Sequence, residues 1–499
     1  MKEKLFVLCL FMLFVSPVFA QCPNASPADV GVDVLIPERL MFDNDVDNLG
    51  NWEPYTSAFG DGTLALAANS ESNPPQENTE RVVVAFFNND NSVVEVPGFY
   101  SGVNPAVSWD GNNDTNRQNG NPPRIACDKR PGATKYLVGN ECTPWDFPAL
   151  FPNWGSGFGY AATVGCTQLL QKSGNTPVPI SPVIDPTYGT ATSGSQIGHI
   201  RFGGEIRALS NGNFICVVED RSGEFPGATG NVPVGSILDG NTGQKIGDSF
   251  STNLTDPSFG DIWSGVAAFN GGFAVKPDMG ASGNKIFFWN NAGTAQGEWE
   301  RIVRMDPNDP LPPANGNTSS ISQGGRGDGF RIDSDIRSNY IYFAGRGIDA
   351  TGTGEAGVYV TKISAQTRQT VKEAYVTQEF TAQPDRVNVC SDENDNVFVC
   401  WNDSSNTGMP QVIGRFYDSN LDPLTESFLV FESSEANPGE VVDGFTVNAP
   451  SCAMINGRVL VTARVSDNAV VGTKYVGQDQ IATVLKVPGQ SSVKNWDKY

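Results

Sequence analysis

Four aspartates could act together, because each stands directly before a short apolar run of the same kind. The segments read DIWSG, DGFRI, DRVNV and DGFTV, and their acids are Asp261, Asp328, Asp385 and Asp443. Carboxylates brought to one place bind Ca²⁺ or another cation, or hold some members protonated. Two of them in unlike environments could instead serve as acid and base in glycoside hydrolysis. The simplest alternative is that each aspartate only accepts backbone N–H bonds in an Asx turn.

A second set of candidate residues is aromatic. Residues 141–160 read ECTPWDFPALFPNWGSGFGY and present Trp145, Trp154, Phe158 and Tyr160 among prolines and glycines. Flat side chains on such a loop could stack on a sugar or anchor a protein interface. They could equally fold back over the domain as a plug. We take the four aromatic residues as candidate ligand-binding residues.

The cysteines favour disulfides over a metal or redox centre. Cys390 and Cys400 flank the turn SDENDN, which we take to be centred near Asp395, so the two cysteines would face each other across one hairpin. Cys127 and Cys142 flank a second hairpin-like segment. Zinc sites use CxxC-type pairs and usually histidine, whereas this chain has one histidine. Removal of a signal peptide would leave an even set of cysteines, which suits an oxidising compartment.

Short strands must position all of these residues. Glycine and proline are frequent, apolar runs are short, and Asn, Asp and Gly recur at turns, a pattern typical of an all-β chain. One unit repeats about seven times, with a short strand, a tight Asn/Asp/Gly turn, an apolar strand and a third strand closed by a polar turn. The repeat predicts a single seven-bladed β-propeller over residues 21–488. Several sandwiches in series are the competing architecture, but no clear spacer supports them.

The predicted ring determines where the aspartates would meet. The first strand of each propeller blade lines the central channel, so Asp261, Asp328, Asp385 and Asp443 would crowd one mouth and could hold a cation there. Polar or irregular insertions near residues 103–123, 141–160 and 305–327 are expected to be loops. Residues 489–499 are expected to form a C-terminal tail.

The repeat unit resembles the blades of secreted bacterial β-propellers. In those blades an NG or DG turn precedes an apolar strand that ends in Trp or Ala, and an RF(Y/D)D-type strand follows. GRFYDSNLDPL is the best single match in this chain. The resemblance covers most of the chain after the signal peptide and implies the architecture alone, because propellers carry many unrelated functions.

The N-terminus and the charge bear on location and partners. Residues 1–20, MKEKLFVLCLFMLFVSPVFA, have the layout of a cleavable signal peptide and predict a secreted, extracellular or cell-surface protein. No later segment is apolar for long enough to span a membrane. The net charge of −22 would repel nucleic acid and attract cations and basic partners.

These patterns favour a non-enzymatic module for binding, adhesion or surface assembly. Its partner would be an extracellular glycan or protein, or further copies of the chain. The alternative is a carbohydrate-active enzyme, either a glycoside hydrolase or a polysaccharide lyase, that uses the channel-mouth carboxylates as catalytic groups and the aromatic loop as a platform for the sugar.

Overall fold

The computed structural model describes the sheets of the chain and several of their connections. The described residues are 25–41, 55–71, 79–98, 100, 107–108, 123–142, 164–184, 186, 200–201, 205–220, 232–254, 261–278, 285–300, 330–348, 356–376, 385–403, 410–433, 445–467, 470–471, 474–475 and 478–489. The only regular helical element among them is the 3₁₀ turn Ala28–Val30. In this part of the chain no helix is long and apolar enough to cross a membrane.

Seven antiparallel sheets follow one another along the chain as the blades of a β-propeller, which confirms the predicted fold. Blade I contains β2 Tyr55–Ala58, β3 Leu64–Glu71, β4 Thr79–Phe87, β5 Val93–Pro97 and the short β6 Val107–Ser108. Blade II contains β7 Arg124–Cys127, β8 Lys135–Cys142, β9 Val164–Ser173 and β10 Thr176–Pro179. Blade III contains β11 Ile200–Arg201, β12 Ile206–Ala208, β13 Phe214–Asp220, β14 Val232–Leu238 and β15 Lys245–Ser251.

The second half of the ring repeats this arrangement. Blade IV contains β16 Asp261–Phe269, β17 Gly272–Asp278, β18 Lys285–Asn290 and β19 Ala295–Glu300. Blade V contains β20 Phe330–Asp333, β21 Tyr340–Ile348, β22 Ala356–Ser364 and β23 Thr370–Tyr375. Blade VI contains β24 Asp385–Ser391, β25 Val397–Asp403, β26 Gln411–Tyr417 and β27 Phe428–Phe431. Blade VII contains β28 Phe445–Ile455, β29 Arg458–Asp467, β32 Gln478–Lys486 and β1 Asp33–Met41, with a small hairpin of β30 Val470–Val471 and β31 Lys474–Tyr475.

The ring is closed by strand β1, which comes from the N-terminal side of the chain and pairs with β32 as the outermost strand of blade VII. The Thr483 hydroxyl donates to the Ile36 carbonyl at 2.8 Å across this pairing. Arg458 of blade VII also donates to the Gly62 carbonyl and to Asn89 Oδ1 of blade I, at 3.1 and 2.7 Å. Blade VII thus contains strands from both ends of the described chain and is bonded directly to blade I.

The innermost strands β2, β7, β12, β16, β20, β24 and β28 each contact their two neighbours, and the contact between β28 and β2 completes the circle. Apolar side chains fill the spaces between successive blades, so the core is a set of wedges between the sheets. Trp289 and Trp401 are among the largest fully buried side chains. We call the N-terminal end of each innermost strand its leading end, and the end at the turn into the second strand its trailing end.

The trailing-end turns use the residues that the repeat predicts. Gly62, Gly212 and Gly271 have φ near +90°, and Asp395 and Asn456 take the left-handed conformation at the equivalent turns of blades VI and VII. A Cβ at Gly212 would also lie 2.2 Å from the Arg130 guanidinium of the neighbouring blade, so that side chain would have to move.

The predicted disulfide between Cys390 and Cys400 is wrong, and the hairpin register explains why. The five-residue turn 392–396 is centred on Asn394, so Cys390 faces Phe398 and Cys400 faces Asn388. The two cysteines are therefore diagonal neighbours and not the directly opposed pair that a cross-strand bridge was predicted to need. Both are buried free thiols.

The predicted bridge between Cys127 and Cys142 is also wrong. Cys127 ends the innermost strand of blade II and pairs with Tyr136, whereas Cys142 lies at the far end of β8 and pairs with Val164. Cys127 is a buried free thiol, and burial raises its pKa far above the ordinary value. The core of the described ring is thus held by packing between the blades rather than by these two staples.

Candidate functional site

Two of the four predicted acids occupy the expected backbone position. Asp261 is the first residue of β16 and Asp385 is the first residue of β24, so both stand at leading ends of innermost strands. Asp328 and Asp443 lie outside the described residues, as do Trp145, Trp154, Phe158 and Tyr160. In the described ranges, no group of three or more His, Cys, Asp or Glu is arranged to hold a metal ion. The cation site and the aromatic binding loop therefore stay predictions.

The described part of the channel contains a cavity at the leading ends, which we call the upper chamber. Its walls come from blades I, III, V, VI and VII, and Arg207, Arg331 and Arg386 enter it from β12, β20 and β24. Among its described lining residues Glu205 is the one carboxylate. The described lining groups therefore include three guanidinium groups and one carboxylate.

Glu205 organises two of the three arginines. It directly precedes β12, and its side chain is 3% exposed. One carboxylate oxygen accepts from the Val266 backbone N–H of blade IV at 3.0 Å and lies 2.9 Å from Arg207 Nη2. The other oxygen lies 3.9 Å from Arg331 Nε of blade V. This buried carboxylate thus ties blades III, IV and V together and holds the Arg207 guanidinium at the chamber wall.

Arg386 reaches the chamber through an irregular backbone. Its φ is +49°, in the left-handed region that a side chain with a Cβ seldom adopts. The pairing of β24 with β25 shifts between Asp385 and Asn388, so Arg386 lies in a bulge. In a regular strand, neighbouring side chains alternate between faces, and a bulge redirects them. The bulge places Arg386 among the residues that line the chamber, together with Val387, Asn388 and Val389.

A fourth arginine stands beside the chamber. Arg124 begins the innermost strand of blade II and is fully buried, and its guanidinium carbon lies 3.4 Å from the centre of the Tyr55 ring. Tyr55 itself lines the chamber. The stacking holds the Arg124 guanidinium against Tyr55, beside the chamber at the leading end of blade I.

A second cavity, the lower chamber, continues the channel towards the trailing ends. Thr56, Arg207 and Cys452 line both chambers, while Lys129 and Asp333 belong to the lower one. Burial raises the pKa of Asp333, although Lys129 and Arg207 nearby and the Ser391 N–H, which donates to it at 3.0 Å, oppose the rise. Each chamber has a volume of about 30 Å³, enough for about two water molecules.

An ion pair crosses the channel near the trailing ends. Lys129 Nζ of blade II lies 4.0 Å from Asp335 of blade V, on the other side of the ring. Asp335 also accepts from Arg337 Nε at 2.7 Å and Nη2 at 2.9 Å. Burial raises the pKa of Asp335, but the hydrogen bonds and charge of Arg337 and the charge of Lys129 together hold it below the usual value. The ion pair thus joins blades II and V across the channel, near the lower chamber.

The sequence contains a signal for this site. Each of the four arginines belongs to an innermost strand, in the segments RIAC, EIRAL, FRID and DRVN of blades II, III, V and VI. Alignment of the repeats on their hairpin turns draws attention to the acids that begin these strands, and no catalytic motif selects an arginine in this position. Convergence of the arginines from separate blades follows only once the ring is known.

Comparisons with known proteins give no function for this chain. No protein-family model matches the sequence, and no curated protein matches it. A solved protein of unknown function from Dyadobacter fermentans is similar to 92% of this chain and 99% of its own, with 9% identity and a TM-score of 0.40. The β-propeller domain of the Trilobed protease from Pyrococcus furiosus matches 86% of this chain and 96% of its own, with 9% identity and a TM-score of 0.39. A mutant of Trypanosoma rangeli sialidase with trans-sialidase activity matches 94% and 98%, with 10% identity and a TM-score of 0.39. At such identities none of these likenesses bears on the activity of this chain.

Proposed function

We propose that the protein is an exported, non-enzymatic binding module that receives part of an extracellular ligand at the leading-end mouth of its channel. The observation that carries the proposal is the upper chamber, where charged side chains from three separate blades line one small cavity. Blades III to VI, which include the three that present them, pack against one another through buried apolar clusters, and strand β1 closes the ring in blade VII. Charged groups fixed on a rigid scaffold bind without the cost of ordering flexible loops.

The size and charge of the chambers favour binding over hydrolysis. A volume of about 30 Å³ admits a small group but not a pyranose ring, which needs a much larger pocket. Glu205 is engaged by Arg207 and by the Val266 N–H, which suits a structural role better than that of a general acid or base. The ligand would therefore insert one group and leave its remainder at the mouth, where Trp145, Trp154, Phe158 and Tyr160 are candidate contacts and the predicted cation site would also lie.

A glycan array run beside an assay for reducing sugar released from polysaccharides tests the proposal. We expect retained ligand without product. Sugar release that is lost in both the Asp328→Asn and the Asp385→Asn protein would overturn it in favour of the glycoside hydrolase alternative. Large particles in light scattering, with no ligand bound, would favour self-assembly instead.

A further inference from the structure

We infer that two opposed turns close the channel at its trailing end, so that solutes reach the lower chamber only from the leading-end mouth. The turns are residues 128–130 of blade II and 335–337 of blade V, and an ion pair joins them across the ring. We call their middle residues, Lys129 and Ile336, the trailing-end closure. The inference goes beyond the proposed function, because it concerns the channel itself and can be tested with no ligand present.

Both turns have the sequence Asp-x-Arg and share the same hydrogen bonds. Asp128 accepts from the Arg130 backbone N–H at 3.0 Å and from Arg130 Nη2 at 2.7 Å. Asp335 accepts from the Arg337 backbone N–H at 2.9 Å and from Arg337 Nη2 at 2.9 Å. Arg130 also donates to a backbone carbonyl of blade III at 3.2 Å, and Arg337 lies 3.6 Å from a carboxylate of blade VI. Each turn is therefore fixed both internally and by the following blade.

This arrangement directs the middle residue of each turn into the channel. Lys129 and Ile336 both line the lower chamber, one from blade II and the other from blade V. Lys129 then continues across the channel to Asp335, which lies 4.0 Å from its Nζ. The two turns follow Cys127 and Asp333, the last residues of their innermost strands, which also line the chamber. The contact between the turns therefore lies on the trailing side of the chamber.

The burial of these side chains indicates that solvent has little access from this end. The Asp335 side chain is fully buried and that of Lys129 is 11% exposed, although a lysine at an open mouth would extend its ammonium group into water. Ile336 is buried as well. Four other blades complete the wall of the chamber with small buried side chains, namely Ser57, Ala208, Ala268 and Ala453.

The buried thiols report on access to the chamber. Cys127 lines the lower chamber, whereas Cys390 and Cys400 are buried but are not among the described lining residues of either chamber. Methyl methanethiosulfonate is a small neutral reagent that modifies thiols. The rate at which it modifies each cysteine of the native full-length protein would be measured by peptide mass spectrometry.

The same rates would be measured in Lys129→Ala, Ile336→Ala and Lys372→Ala variants. Lys372→Ala is the matched control, because Lys372 also joins two blades through an ion pair, with Asp422 at 2.6 Å, but lies on the outer strand β23. Circular dichroism and melting temperature would verify that the variants are folded.

We expect Lys129→Ala and Ile336→Ala each to accelerate the modification of Cys127 by roughly tenfold or more, because a buried thiol reacts only when an opening exposes it. Cys390 and Cys400 should keep the rates of the parent protein, and Lys372→Ala should change none of the three. Loss of Lys129 removes a charge that lowers the pKa of the Cys127 thiol. A faster reaction would therefore come from access and not from a more reactive thiol.

An unchanged rate for Cys127 in both closure variants would overturn the inference. Rapid modification of Cys127 in the parent protein would do so too, as would an acceleration that Cys390 and Cys400 share equally in both variants, since that reports unfolding of the ring. None of these results bears on ligand binding, so the proposed function would still be decided by the glycan array.

Discussion

Replacing Glu205 by glutamine should destabilise the ring, because it removes a buried charge that joins three blades. The variant keeps a carbonyl oxygen to accept from the Val266 N–H, which the carboxylate now does at 3.0 Å. It removes the negative charge that lies 2.9 Å from Arg207 and 3.9 Å from Arg331. Glu205 is 3% exposed and Arg207 is 21% exposed, so this ion pair is largely screened from water by protein.

The expected loss of stability comes from Arg207, which would keep its positive charge after the carboxylate is removed. Removing one member of a buried ion pair costs about 3–5 kcal/mol, because the remaining charge stays buried without its counter-charge. Arg207 retains partial access to solvent, so we expect the free energy of unfolding to fall by about 3 kcal/mol, at the lower end of that range. Urea unfolding followed by the fluorescence of the buried Trp289 and Trp401 measures it.

Glu298→Gln is the matched control, because Glu298 is 40% exposed on the outer strand β19 and pairs with Lys285 at 2.7 Å. It should change the free energy of unfolding by less than about 1 kcal/mol. A Glu205→Gln protein that unfolds at the same urea concentration as the parent would refute the reasoning.

Three further predictions concern the ring itself. Ile36→Ala removes a buried side chain from the closing strand β1 and should lower the free energy of unfolding by about 2–4 kcal/mol. Val34→Ala, at a position 44% exposed on the same strand, should lower it by less than about 1 kcal/mol. Equal losses in urea unfolding would contradict the burial of β1. Burial raises the pKa of Asp392 to about 6, so the protonated carboxyl favours the folded state. This contribution of about 3 kcal/mol is complete below pH about 4 and is lost as the pH rises through 6. Asp392→Asn should flatten that part of the profile of unfolding free energy against pH, and an unaltered profile would exclude Asp392 as the source. Without reductant, four buried thiols should resist alkylation in the native protein and react once it is denatured, namely those of Cys127, Cys390, Cys400 and Cys452. A linked Cys390–Cys400 peptide in the mass spectrum would contradict the observed register.

The architecture was predictable because it depends on features that repeat. Each blade contributes an apolar second strand and a turn whose residues tolerate positive φ, and seven imperfect copies reinforce one another even where one copy is irregular. The disulfides were not predictable in this way, because a hairpin register depends on one turn. Centring the turn on Asp395 instead of Asn394 moves every cross-strand partner by two positions, which converts a diagonal pair of cysteines into an opposed one.

The charge of the channel shows a similar limit at the level of single residues. Asp385 and Arg386 are adjacent in sequence, and alignment of the repeats favoured the acid because acids recur at that point in other units. Whether one of two neighbouring side chains faces the channel depends on the strand alternation, and here a bulge with a left-handed residue interrupts that alternation. In blade III, by contrast, Glu205 and Arg207 are two residues apart, so regular alternation places both on the same face, and both line the chamber. The side chains that line the described channel are therefore determined by local register as well as by composition, and a chain with a net charge of −22 can still place three arginines around one cavity.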